Sequence, residues 1–152
     1  TLLKKDNEPT NSDEKMSLTA GLTSFENEIV INKCLATILS ESVRLQDVSY
    51  WIAYSLANRH SRQLAWQWLI DNWPKLLGLI GSDLSFSRMP IYAARNFSDK
   101  KSLDTYKKFF TAAMEPMLER SYKQGLEIIE TNIAWHNRDK DAALKWFIEI
   151  SN

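Results

Sequence analysis

"LANRHSRQLAWQWLIDNWPKL", residues 56–76, holds three of the chain's six tryptophans, Trp66, Trp68 and Trp73, within little more than two helical turns. At about 100° per residue, Leu64, Ala65, Trp66, Trp68, Leu69, Ile70 and Trp73 sweep roughly 240° of a helix and leave Gln67 and Asp71 on the remaining side. A helix that is apolar over most of its circumference must have neighbours on most sides, so this one is read as the interior member of a layered stack. Each tryptophan can remove roughly 150–250 Å² from water, so the three are read as core and not as a ligand cage.

Outward from that stretch, the pattern is helical nearly throughout, without convincing strand alternation. Residues 1–11 are polar and unpatterned and read as a frayed lead-in. A first helix is expected from Ser12, as N-cap, to near Gly21. A second should run from about Phe25 to Ser40, with Ile29, Ile31, Leu35 and Ile38 on its apolar side. A third follows Arg44, carries Val48, Trp51, Ile52 and Leu56, and ends near Asn58. The fourth spans Ser61 to Asn72, and Pro74 is expected to open a new turn lasting to Leu79. After a loop at Gly81, Ser82 and Asp83, a short fifth helix covers Pro90 to Arg95. Ser98-Asp99 caps a sixth that ends at Pro116, and two more are expected, Met117–Trp135 and Asp139–Glu149. On the seventh, Leu118, Tyr122, Gly125, Leu126, Ile129 and Ile133 fall within about 100°, as on an outer helix with one wet face. The expectation is one all-α domain over residues 1–152, of about eight helices, built as a bundle or as stacked antiparallel pairs, with the interior fourth helix favouring the stack.

Composition agrees with a single globular unit: 152 residues, 44% hydrophobic, 25% charged. Nineteen basic residues balance nineteen acidic ones, and no long block of either sign appears, which argues against nucleic acid or an anionic membrane as partner. The apolar runs are far shorter than the roughly 20 residues of a membrane span. No signal-peptide pattern is visible, and the chain reads as soluble. Cys34 is the only cysteine; it rules out an internal disulfide and a cysteine-cluster metal site and favours a reducing compartment, so the chain is read as cytoplasmic. The sequence starts at Thr1 without a methionine, as expected of a processed product or of a piece of something longer.

The residues offer little chemistry of their own. His60 and His136 lie far apart, neither in an H-E-x-x-H arrangement nor beside acids at ligand spacing, so no zinc site and no cofactor are expected in this chain. No G-x-S-x-G motif or phosphate-cradling glycine loop is present. Lys100, Lys101, Lys107 and Lys108 read as the solvated face of a helix whose other side carries Leu103, Tyr106, Phe109, Phe110 and Met114.

Four stretches together say more: "RLQD" at 44–47, "LANRHSRQLAWQWLIDNW" at 56–73, "RNFSDKKSLDTYKKFF" at 95–110 and "GLEIIETNIAWHNRDKDAALKWF" at 125–147. In order and spacing they resemble the C-terminal helical domain of zinc aminopeptidases of the aminopeptidase N and puromycin-sensitive type, over nearly the whole chain. The residues that carry the resemblance are Arg44, Gln46, Asp47, Arg62, Ala65, Trp66, Asn72, Trp73, Phe97, Ser98, Phe109, Phe110, Glu127, Ile129, Asn132 and Trp135. Ser61 stands where that family usually has glycine. "AAMEP" around Glu115 is a chance echo of the family's G-x-M-E-N, since the glycine and the asparagine are absent.

The resemblance implies a HEAT-like stack of helix pairs that closes over a catalytic domain of the same parent chain and walls a chamber for peptide substrates. It implies zinc in the parent and a non-catalytic, supporting role for this piece. Arg88 and Arg95 flank the short fifth helix and are the candidates to face that chamber, where they could meet a peptide's C-terminal carboxylate. Solvated surface charge, or capping of a helix C-terminus, is the plainer reading of both. A stand-alone helical scaffold for partner proteins would show the same periodicities and remains the alternative, whereas a small-molecule-binding bundle is less favoured because no convergent polar set is visible.

Overall fold

The computed structural model describes residues 12–150, all helix and turn without a strand; the lead-in expected at 1–11 lies outside the described residues. Seven α-helices are described: α1 (Ser12–Leu22), α2 (Glu28–Thr37), α3 (Val48–Ala57), α4 (Arg62–Ile80), α5 (Met89–Ala94), α6 (Lys100–Ala112) and α7 (Glu119–Ile150). Short 3₁₀ turns at Leu45–Asp47, Phe86–Arg88 and Pro116–Leu118 lead into α3, α5 and α7. No helix among the described residues is long and apolar enough to cross a membrane.

The order of packing is layered. α1 lies on α3 and α2 on α4, α3 and α4 form a tight pair, α5 sits between α3 and α7, and α6 lies on α7. α4 is the interior helix that its sequence demands: Ala65, Trp66, Leu69 and Trp73 are buried, Leu64, Trp68 and Ile70 are half-buried, and Gln67 and Asp71 stay exposed and bonded to each other at 2.8 Å. Trp66 meets Phe97 and Phe109 edge-on, with ring centroids 5.4 Å apart in both pairs, and Trp73 meets Phe86 at 4.9 Å. These contacts join α4 to the 86–97 region and to α6 through one aromatic core, the arrangement in which edge-to-face rings gain beyond simple burial.

Three expectations are corrected. α4 does not restart at Pro74 but runs through it to Ile80. Leu76 and Ile80 continue the buried 3–4 spacing of Trp66, Leu69 and Trp73, and burying two large aliphatic side chains, about 1.5–3 kcal/mol each, offsets the roughly 3 kcal/mol that an interior proline costs. The last two expected helices are one. His136, Asn137 and Arg138 are polar but include neither glycine nor proline, and polarity alone does not stop a helix. α2 is shorter than expected, begins after Asn27, whose side chain caps Ile29 and Val30, and leaves Ile29 exposed. Ile29 and Ile31 stand about 200° apart on a helix, so they cannot share the face that Ile31 takes with Leu35.

Candidate functional site

The tie between layers centres on the turn from α5 to α6. Arg62, at the start of α4, donates to the carbonyls of Leu56 (3.2 Å), Ala57 (3.3 Å) and Asn96 (3.2 Å). Asn132 on α7 donates from its amide nitrogen to the carbonyls of Arg95 (3.2 Å) and Phe97 (3.0 Å). Burial lowers the Arg62 pKa somewhat from its ordinary value, but a guanidinium keeps its charge in any case, and its planar fork suits several carbonyls at once. The α5–α6 turn is thereby fixed from both sides.

That turn fixes the outward face of α5. Met89, Pro90, Ala93 and Ala94 are buried, whereas Arg88 and Arg95 are exposed and Ile91 and Tyr92 half-exposed. Both arginines have helical backbone angles, and residues seven apart fall within about 20° of each other on a helix. The two arginines, neighbours neither in sequence nor in any local motif, therefore share one face. Arg95 lies 5.8 Å from the Tyr92 ring centre in a cation–π contact. Beside that face runs an open groove of about 540 Å³ lined by Ile91, Gln124, Glu127, Ile128, Thr131 and Asn132. Exposed guanidinium groups can offer charge-assisted hydrogen bonds to an anion such as a carboxylate, and the partly apolar trough beside them also carries the Glu127 carboxylate.

Most other residues singled out by resemblance serve the frame. Phe97 and Phe110 are fully buried, and Phe109 stands edge-on to both Trp66 and Trp73. Asn72 donates back to the Trp68 carbonyl at 2.9 Å. Arg44 pairs with Asp47 at 2.5 Å across the first 3₁₀ turn, at the edge of a second, smaller hollow of about 300 Å³ that Gln46, Lys15, Met16, Thr19 and Tyr50 also line. Glu127 is exposed in the groove beside α5, and Trp135 is exposed on α7.

Two further residues, Asn58 and Tyr106, matter as much through partners that the sequence does not show. The Asn58 amide donates at 2.9 Å to the carbonyls of both Thr23 and Phe25, pinning the α1–α2 turn to the end of α3. Its position as the residue after α3 was legible, but the distant carbonyls were not. Tyr106 is fully buried, with its hydroxyl 3.2 Å from the Pro90 carbonyl and 3.4 Å from that of Tyr122. Burial, with Tyr122 nearby, pushes its phenol far up and keeps it protonated. Its amphipathic helix gave the burial but not the partners.

His60 sits at the α3–α4 turn, where its Nε2 accepts from Arg59 at 2.9 Å, and His136 is exposed on α7. Among the described residues no three His, Cys, Asp or Glu side chains come together as metal ligands.

The family described as ERAP1-like C-terminal domain matches residues 1–131. Aminopeptidase N of Lactobacillus helveticus is 27% identical over 143 residues, 93% of this chain and 17% of that protein. Aminopeptidase N of Canis lupus familiaris is 32% identical over 127 residues, 80% of this chain and 13% of that protein. Aminopeptidase 2, mitochondrial, of Saccharomyces cerevisiae is 24% identical over 143 residues, 93% of this chain and 15% of that protein. The chain thus spans about one sixth of the length of such relatives.

Proposed function

The chain belongs to the ERAP1-like C-terminal domain family, and from that membership we propose that it is the non-catalytic, HEAT-like C-terminal domain, single over residues 1–152, of a zinc aminopeptidase. In this reading the domain packs against the catalytic domain of the same parent chain, walls the chamber that receives peptides, and serves a cytoplasmic enzyme. The match to aminopeptidases over most of the chain carries the proposal, and the exposure of Arg88 and Arg95 beside α5 is compatible with it. The donor set among the described residues does not fit zinc, so the metal would be held elsewhere in the parent, where it would activate water for attack on the peptide bond. This chain's own part is recognition at a distance. Arg88 and Arg95 would draw a peptide's C-terminal carboxylate toward the α5 face, while the Ile91–Ile128 trough takes an apolar side chain beside it.

The test uses the whole parent enzyme with Arg88→Ala and Arg95→Ala combined. The expected result is a loss of roughly tenfold in kcat/KM for peptides long enough to span the chamber, the order of one charge-assisted hydrogen bond. A dipeptide-sized reporter should be unchanged. Equal effects on both substrates, or none on either, would return the two arginines to plain surface charge.

A further inference from the structure

The last turns of α7 leave the body of the domain. The last buried residue on the helix is Ile129, and from Trp135 onward the apolar side chains face solvent: Trp135 is 60% exposed, Trp146 56% and Ile150 58%. At about 100° per residue, Trp135, Asp139, Ala142, Ala143, Trp146 and Ile150 fall on one stripe roughly 100° wide, with steps of three and four as in helix–helix seams. Phe147 borders it, its ring edge-on to Trp146 at 5.1 Å. Along one flank of the stripe the charges read Arg138, Asp141, Lys145, Glu149, strictly alternating in sign.

We propose that this stripe is a self-association surface, taken by the same stripe of a second copy of the chain running antiparallel. Charge decides the partner and its direction. Reversed against itself, the flank sets Arg138 opposite Glu149 and Asp141 opposite Lys145, each pair occurring twice about a two-fold axis; laid parallel, it faces the stripe's other side, His136, Lys140 and Phe147, which offers no matching row of charges. A two-fold contact of this kind is isologous, so one sequence satisfies both sides. The axis falls at Ala142-Ala143, small enough for two helices to approach within about 8–10 Å, and Trp135 then meets Ile150 of the other copy at each end. Two tryptophans, a phenylalanine and an isoleucine from each copy come to about 1,000 Å², the lower bound for a specific interface. The present Arg138–Asp139 contact at 2.7 Å is an exposed pair, of the kind that exchanges partners readily. The proposal stands on α7 alone and holds whatever the aminopeptidase assignment.

Sedimentation equilibrium of the 152-residue chain tests it. A species of twice the 17.6 kDa monomer mass is expected at roughly 10–100 µM chain. Lys145→Glu, which puts like charges opposite each other, should raise the dissociation constant at least about tenfold, and the exchange Asp141→Lys with Lys145→Asp should restore it. Trp146→Ser should abolish the dimer while leaving the helical circular dichroism unchanged, and the melting midpoint unchanged at a concentration where both chains are monomeric, since the side chain is more than half exposed. A chain monomeric throughout the range overturns the proposal and leaves the stripe to a different partner, such as another part of a longer chain. A dimer indifferent to the charge reversal overturns the antiparallel seam.

Discussion

Arg62 and Asn132 hold three consecutive main-chain carbonyls between them: Arg62 takes that of Asn96, and Asn132 takes those of Arg95 and Phe97. One residue stands at the beginning of α4 and the other on α7, so the α5–α6 turn is the joint through which the interior helix and the outer helix are registered. Replacing Arg62 by Ala strands the Asn96, Leu56 and Ala57 carbonyls and should cost about 2–3 kcal/mol, as for hydrogen bonds from a charged donor. Asn132→Ala should cost about 1–2 kcal/mol. Because both act on one turn, the double variant should lose less than the sum, by about 0.5 kcal/mol or more in urea melts. Arg62→Lys should behave nearly as the alanine variant, because an ammonium lacks the planar fork that reaches three carbonyls.

Gly125 and Tyr106 form a second joint. A Cβ at Gly125 would collide with the Tyr106 hydroxyl and also meet Ala94, and the tyrosine ring is itself fully buried between Trp66, Phe110 and Tyr122. Gly125→Ala should therefore destabilise by about 1–3 kcal/mol, the overpacking range. Tyr106→Phe removes the clashing oxygen along with its bond to the Pro90 carbonyl and should cost about 1 kcal/mol. In the phenylalanine background the alanine should be tolerated better than in the native one. Additive losses in thermal melts would mean that the collision is relieved elsewhere.

How far the fold could be read beforehand follows from these same residues. Trp66, Leu69 and Trp73 announced an interior helix because apolarity around a whole circumference has one physical solution, and Tyr122, Gly125 and Ile129 announced a one-sided helix for the converse reason. Pro74 signals a helix start only locally, and the burial of Leu76 and Ile80 beyond it outweighs that signal; nothing in the run 136–138 ends a helix, and α7 continues through it. Resemblance picked out Arg62 and Asn132, yet their shared target became visible only with the chain folded. Arg88 and Arg95 flank a short helix, and their spacing of seven residues already implies the exposure they share.

Acid should weaken the start of α6 in a defined direction. The Asp99 carboxylate caps the helix, accepting from the Ser102 hydroxyl at 2.7 Å and from its backbone N–H at 2.9 Å. Those two bonds hold its pKa below the ordinary aspartate value. A carboxyl group depressed in the folded state contributes fully above its unfolded pKa of about 3.9 and loses that contribution as the pH falls through the lower folded value. Stability measured from pH 6 downward should thus fall more steeply for the native chain than for Asp99→Asn, which keeps a capping oxygen but has no proton to gain. At neutral pH, Asp99→Ala should cost about 1 kcal/mol, as for other lost caps.

Buried and exposed tryptophans differ in what surrounds them, and substitution should separate them. Trp66 and Trp73 are buried against Phe97, Phe109, Phe110 and Phe86, so truncating either to Ala leaves a cavity at the meeting of α4, α6 and the 86–97 segment and should cost about 3–5 kcal/mol. Trp135, more than half exposed on α7, leaves no cavity, and its alanine variant should shift stability by no more than about 0.5 kcal/mol when measured at a concentration where the chain is monomeric. Pro74→Ala adds a control within α4. The helix already runs through position 74 with the side chain exposed, so restoring an N–H there should stabilise, by up to about 3 kcal/mol less whatever the proline gains by restricting the unfolded chain. Denaturant midpoints, followed by tryptophan fluorescence and by far-ultraviolet circular dichroism, would give all four values on one scale. An unchanged midpoint for both Trp66→Ala and Trp73→Ala would remove α4 from the interior of the stack.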